Sequence, residues 1–244
     1  MPIVCNELLG RPLLKIYQDT DGFNFSLDSM LLADFASVGA KTAKICDLCT
    51  GNAPIPLYLT LRTKAHIIGV EIQKESWELA KRSVDENHLS KQIALYHENL
   101  IGISDIIGKR QFDLVTCNPP FFKIGAHQLN PLDRKAIARH ELFATLEDIV
   151  REAAVLLRPK GKFAMVHRPE RLTEILDVFR KYRIEPKRLR FVYPKINGKC
   201  NHILIEGIKD AKAGNLVVLP PLFVFESNDK WTEEVLKIYN YTKE

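Results

Sequence analysis

Between residues 43 and 209 short apolar runs alternate with amphipathic stretches, and this alternation restricts the fold more than any other feature of the chain. AKICDLC (43–49), HIIGVE (66–71), QIALYH (92–97), FDLVTCN (112–118) and GKFAMVH (161–167) read as strands. QKESWELAKRSVDENH (73–88) places Trp77, Ala80 and Val84 at spacings of three and four, the period of a helix with one buried face. Helices are also expected through Tyr58 and Leu59, over TLEDIVREAAVLL (145–157) and over PERLTEILDVFRKY (169–182). Thr145 is the expected N-cap of the 145–157 helix, with Glu147 and Asp148 in its first turn. KRLRFVYP (187–194) and NHILIEGIK (201–209) form an expected hairpin around Lys195-Ile196-Asn197-Gly198. Near-continuous apolar strands separated by helices predict an α/β fold with a parallel, doubly wound sheet, and the hairpin makes one late strand antiparallel.

A chain of 244 residues, 46% hydrophobic and 27% charged, suffices for one large α/β domain or for one domain plus an appendage. The N-terminus lacks a basic segment followed by a long apolar run, and no stretch approaches the roughly 18 apolar residues of a membrane helix, so a soluble cytoplasmic protein with no membrane partner is expected. Five scattered cysteines (Cys5, Cys46, Cys49, Cys117 and Cys200) point to reduced thiols. Cys46 and Cys49 make a C-x-x-C, but no second pair accompanies it and Cys46 lies inside a strand, so packing is the better reading and no metal is expected. A net charge of +5 permits nucleic-acid binding without demanding it.

Asp47-Leu48-Cys49-Thr50-Gly51-Asn52-Ala53 follows the first central strand and opens a helix, where a glycine turn lets backbone approach a ligand closely. Gly51 is the single glycine of that turn; fewer glycines fit a ligand without a pyrophosphate to cradle. Glu71 ends the next strand 24 residues after Asp47. Alone it reads as a surface glutamate; coupled to the turn, it is placed to accept both hydroxyls of a ribose. Glu98 and Asn99 follow the third strand and can reach the edge of an adenine.

The run FDLVTCNPPFF (112–122) ends a strand on Asn118 and follows it with two prolines and two phenylalanines. Prolines stop the strand because they carry no amide hydrogen. The corner holds a carboxamide (Asn118), a backbone carbonyl restricted by a ring (Pro119), a stiffener (Pro120) and an aromatic face (Phe121). Such a set can accept both hydrogens of a planar amine, align its lone pair and stack the ring that bears it. A proline-terminated strand with two core phenylalanines is the plainer alternative for this run alone.

The order of acid, turn, acid, polar pair and Asn-Pro-Pro-Phe resembles the class I S-adenosylmethionine-dependent methyltransferases. DLCTGNA is similar to their first motif, Val70-Glu71 to their second, and NPPF (118–121) to the fourth motif of those that methylate amino nitrogens. With GFNFSLDSMLLADFA (22–36) and RKAIARHE (134–141), these runs resemble the bacterial family that N6-methylates the adenosine 3′ of the anticodon in a valine tRNA. The resemblance covers about residues 12–209. It implies a Rossmann-like, mostly parallel seven-stranded sheet with one antiparallel strand and helices on both faces. It implies catalysis by Asn118, Pro119, Pro120 and Phe121, and S-adenosylmethionine held by Phe25, Ser26, Asp28, Asp47, Cys49, Thr50, Gly51, Asn52, Glu71, Ile72, Glu98, Asn99 and Asn118. Ala53 and Asn99 depart from the family pattern, where a glycine and an acid are commoner.

GFNFSLDS also makes sense as a lid. Ser26 or Asp28 can cap a helix starting near Asp28, whose amides would receive a carboxylate, and Phe23 and Phe25 can cover a pocket. Arg134, Lys135, Arg139 and His140 are the expected tRNA contacts; RKYRIEPKRLR (180–190) is either a second phosphate-binding cluster or a solvated face. The expected organisation is a lid segment over 1–40, a methyltransferase domain over 41–210 and a tail over 211–244 packed back through Trp231, Leu236 and Tyr239. A glutamine amide of release factors, a guanine amine of ribosomal RNA, or a non-catalytic RNA-binding role remain alternatives.

Overall fold

The computed structural model describes residues 3–9, 11–19, 27–119 and 144–240. Five parallel strands form the centre: β3 (Lys44–Leu48), β4 (His66–Glu71), β5 (Ile93–His97), β6 (Phe112–Cys117) and β7 (Leu157–His167). β8 (Ile184–Tyr193) and β9 (His202–Lys209) complete a core sheet in the order β5-β4-β3-β6-β7-β9-β8. β9 is antiparallel to both of its neighbours, as the hairpin reading expected. Two edge strands that sequence periodicity missed, β10 (Val217–Val218) and β11 (Leu222–Phe223), pair with β8 and bring the sheet to nine strands. Each is two residues long, too short to carry a period; together they cover an edge that would otherwise expose its backbone.

Side chains alternate between two cores, because successive residues of a strand point to opposite faces. Ile45, Ile67, Ile93, Leu114 and Leu204 face one cluster, which also takes α1 (Leu27–Phe35) and α2 (Pro54–Arg62). Val84 of α3 (Lys74–Glu86) and Val235 and Ile238 of α7 (Glu233–Tyr239) join the same cluster. Cys46, Val70, Val115, Cys117, Phe163 and Ile205 face the other cluster, covered by α4 (Ile103–Ile107), α5 (Leu146–Leu156) and α6 (Leu172–Lys181). The Thr145 cap is present as a reciprocal box: Thr145 Oγ1 accepts from the Asp148 amide at 3.2 Å, and Asp148 Oδ2 accepts from the Thr145 amide at 3.0 Å. In the last helix Leu236 is 43% exposed, contrary to expectation. Val235 and Ile238 supply the buried face instead, while Trp231 and Tyr239 do pack on the core, their rings 4.3 Å apart.

A hairpin of β1 (Ile3–Leu9) and β2 (Arg11–Asp19) precedes α1. It sits on α3: the Tyr17 amide donates to Ser83 Oγ at 2.9 Å, and Asn87 bonds both the amide and the carbonyl of Lys15, at 2.9 and 2.7 Å.

α1 matters most for the site, and its C-terminal end is fixed by buried polar contacts. Glu206 of β9, 1% exposed, accepts from the Ser37 amide and hydroxyl, each at 2.7 Å. Arg188 Nη1 completes that carboxylate at 3.2 Å and lies over the Phe35 ring. Arg62 of α2 donates to the carbonyls of Ala33, Asp34 and Ala36, which the helix leaves without partners of its own.

Candidate active site

Because β3 to β7 run parallel, their carboxyl ends share one edge, the edge at which doubly wound sheets bind ligands. There the turn after β3 puts Cys49, Gly51 and Ala53 at φ of 57°, 58° and 70°. Cys49 and Ala53 thus hold a conformation that costs an L-residue about 1–2 kcal/mol, and the family's commoner glycine at 53 would relieve it. The turn is closed from below. Asp47 is fully buried and accepts from the Thr50 hydroxyl at 2.7 Å and from the Thr116 hydroxyl of β6 at 2.6 Å. Burial raises its pKa to about 7, against the lowering effect of the two hydroxyls. Asp47 therefore shapes the turn from beneath through Thr50, itself only 3% exposed.

Glu71, 5% exposed, closes the turn from the side. Its Oε2 accepts from the Gly51 amide at 2.8 Å and its Oε1 from the Gln73 amide at 2.9 Å. Burial pushes its pKa up, and the backbone donors pull it back down. The Ile72 amide is a third donor to this carboxylate, which keeps acceptor capacity for a further donor. Asn52 Nδ2 donates to the Tyr17 carbonyl of the hairpin at 2.9 Å, while its buried Oδ1 has no partner. Asp47, Thr50, Gly51, Asn52 and Glu71 are thus brought together as one unit, with Cys49 in the same turn. Ile72 lies half-buried beside Glu71, its carbonyl 3.0 Å from His97 Nε2. Glu98 is exposed at the end of β5, and Asn99 Oδ1 accepts from the Ile101 amide at 2.9 Å.

At the end of β6, Asn118 is half-buried and its Nδ2 donates to Ser29 Oγ of α1 at 3.0 Å. Pro119 is buried behind it. Asp28 lies in the same first turn of α1, its Oδ1 3.4 Å from His202 Nδ1 at the start of β9. Phe23, Phe25, Ser26, Pro120, Phe121, Arg134, Lys135, Arg139 and His140 lie outside the described residues. The cations of 180–190 are not brought to the site. The start of β8 lies at the opposite edge, and Arg180, Lys181, Arg183, Arg188 and Arg190 pair with Glu185, Glu147, Asp210, Glu206 and Glu234. Lys187 donates to the carbonyls of Lys212 and Gly214. Thr116, Ser29 and Tyr17 were missed as site residues; the signal for the first two was a small polar side chain inside an otherwise apolar run.

Among the described residues no three or more His, Cys, Asp or Glu side chains are arranged to hold a metal, and no helix is long and apolar enough to cross a membrane. Cys46 and Cys117 are buried in the core, which pushes their thiols well above the usual range.

The turn fits an adenosyl ligand. A Cβ built on Gly51 meets nothing within 4 Å, so the turn faces unfilled space beside the Glu71 carboxylate, and Asn52 adds an unsatisfied acceptor. The comparisons with known proteins agree. The family model described as "Methyltransferase small domain" matches residues 27–192. A protein of Dyadobacter fermentans named tRNA1(Val) (adenine(37)-N6)-methyltransferase is 24% identical over 92% of this chain and 93% of its own length. One of Porphyromonas gingivalis with the same name is 30% identical over 73% of this chain and 72% of its own. Among solved structures, a predicted O-methyltransferase of Agrobacterium tumefaciens superposes with a TM-score of 0.69 at 22% identity, over 87% of this chain and 95% of that one. The 16S rRNA N2 G1207 methyltransferase of T. thermophilus, in complex with AdoMet and guanosine, superposes at 0.57 and 17% identity over 85% and 50%.

Proposed function

The chain belongs to the methyltransferase small domain family, and on that footing we propose that it methylates the exocyclic N6 of an adenosine in tRNA, at position 37 beside the anticodon of a valine tRNA. The observation that carries this reading is the buried Asp47 carboxylate, which ties the nucleotide turn, through Thr50, to Thr116, two residues before Asn118. The turn for the cofactor and the corner for the amine are therefore held in one frame.

Glu71 would hold the ribose hydroxyls of S-adenosylmethionine, Gly51 gives the ligand close access to backbone, and Asn99 meets the base edge with its carboxamide nitrogen. When bound, the cofactor supplies an electrophilic methyl carbon. The amine of adenine is a poor nucleophile because its lone pair is delocalised into the ring. Asn118 Oδ1 and the Pro119 carbonyl accept its two hydrogens, drawing the nitrogen toward tetrahedral geometry and aiming the lone pair. The ring of Phe121 stacks on the base, which is turned out of the anticodon loop to enter. The new N–C bond would form as the methyl–sulfur bond breaks, its electron pair staying on the departing thioether, and the surplus proton on nitrogen would then leave to solvent. The GFNFS run ahead of α1 (22–26) acts as a lid, and the first helical turn of α1 borders Asn118. Arg134, Lys135, Arg139 and His140 contact the RNA backbone, in a soluble cytoplasmic protein.

The test is to incubate the protein with labelled S-adenosylmethionine and total tRNA from a strain lacking the activity, then digest the RNA and identify the labelled nucleoside. N6-methyladenosine in valine tRNA is the expected product. N2-methylguanosine, or label confined to protein, would replace the substrate assignment with one of its rivals.

A further inference from the structure

We propose that Ser29 is a positioning residue for the transfer: it anchors the Asn118 carboxamide with its oxygen turned toward the target amine. The proposal rests on the reading of Asn118 as the acceptor and adds to it the group that orients it. A carboxamide has two nearly isosteric orientations, one presenting an acceptor and the other two donors. Only the first can receive an N–H of adenine; the second sets donor against donor. Ser29 Oγ, 3% exposed, takes the Nδ2 side at 3.0 Å and so leaves Oδ1 for the ligand. The anchor is firm because α1 is held at both ends. Arg62 and Glu206 fix its C-terminal end, and Asp28 beside Ser29 reaches His202 of β9. Without the serine hydroxyl, a half-buried Nδ2 has lost its acceptor, and rotation of the carboxamide carries no local penalty.

Ser29→Ala is expected to lower kcat roughly ten- to hundredfold, with KM for tRNA and the calorimetric Kd for S-adenosylmethionine both changing less than about twofold. Ser29→Thr, which keeps the hydroxyl, restores most of the rate. In an Asn118→Ala background, Ser29→Ala has no further effect, because its partner is gone. A second readout needs no turnover: in the 15N NMR spectrum of the free protein, the Asn118 side-chain NH2 pair shifts and exchanges faster in Ser29→Ala. Wild-type kcat in Ser29→Ala, an equal loss in the Asn118→Ala background, or an unmoved NH2 pair would each overturn the proposal. An Asn118→Ala enzyme that keeps full activity would instead defeat the reading of Asn118, and the NH2 spectrum would still report on the Ser29 contact by itself.

Discussion

Replacing Asn118 by alanine is expected to cut methyl transfer roughly a hundred- to thousandfold while the Kd for S-adenosylmethionine changes little. The side chain sits at the end of β6, one residue past its last hydrogen-bonded position, and its nitrogen is tied to Ser29. On the proposed reading, its oxygen is the side-chain acceptor offered to the amine. Pro119, its neighbour, offers only a backbone carbonyl, which no side-chain substitution removes. Asn118 is also among the residues expected to touch the cofactor, but the other contacts, on Gly51, Glu71 and Asn99, are held by partners of their own and none of them bonds to Asn118. The variant should therefore lose the chemistry and keep the ligand. Single-turnover rates beside calorimetry separate the two; an equal loss of both would assign Asn118 to the cofactor instead.

Asp47→Asn is expected to remove a pH dependence of stability worth on the order of 4 kcal/mol. Burial lifts the Asp47 pKa from 3.8 to about 7, with the charge of Glu71 adding to the shift. Between those values the folded chain holds a proton that the unfolded chain has released, so stability falls as pH rises through that window. Below it the loss is absent; above it the loss is complete. An asparagine carries no such proton, yet offers one acceptor and one donor to the hydroxyls of Thr50 and Thr116. Urea unfolding of both proteins from pH 4 to pH 8 should give curves that nearly meet at the acid end and diverge toward pH 8, with the variant the more stable. Parallel curves would place the titration on another group. The shift of Glu71 has the same sign and is coupled to Asp47 through their charges, so the difference reports the Asp47 carboxyl together with its effect on Glu71.

The parts of this molecule that were legible in its sequence are those in which one local rule decides the outcome. Buried parallel strands need continuous apolar runs, so HIIGVE marks β4 to the residue, and Glu71 falls at its carboxyl end. Thr145 and Asp148 stand three apart at a helix start, and the capping box forms. The five residues of α4 make less than two helical turns, and β10 and β11, two residues each, make a single strand repeat, so none of them leaves a period to detect. Leu236 was misplaced because Val235 and Ile238 offer an equally apolar helical face, and tertiary packing chose theirs. The cations of 180–190 looked the same as a phosphate site until their acidic partners appeared from segments far along the chain. The turn residues were readable as types, but not the clasp that shapes them: Thr116 meets Asp47 across 69 positions of sequence, and Ser29 meets Asn118 across 89.

The most direct test of the account is a crystal structure of the protein with S-adenosylhomocysteine and a valine-tRNA anticodon stem-loop carrying adenosine at position 37. The account predicts the base turned out of the loop, with Asn118 Oδ1 and the Pro119 carbonyl oxygen each about 2.9 Å from N6, and Asn118 Nδ2 still on Ser29. A base seated elsewhere, with the Asn118 carboxamide oxygen turned into the protein, would contradict it.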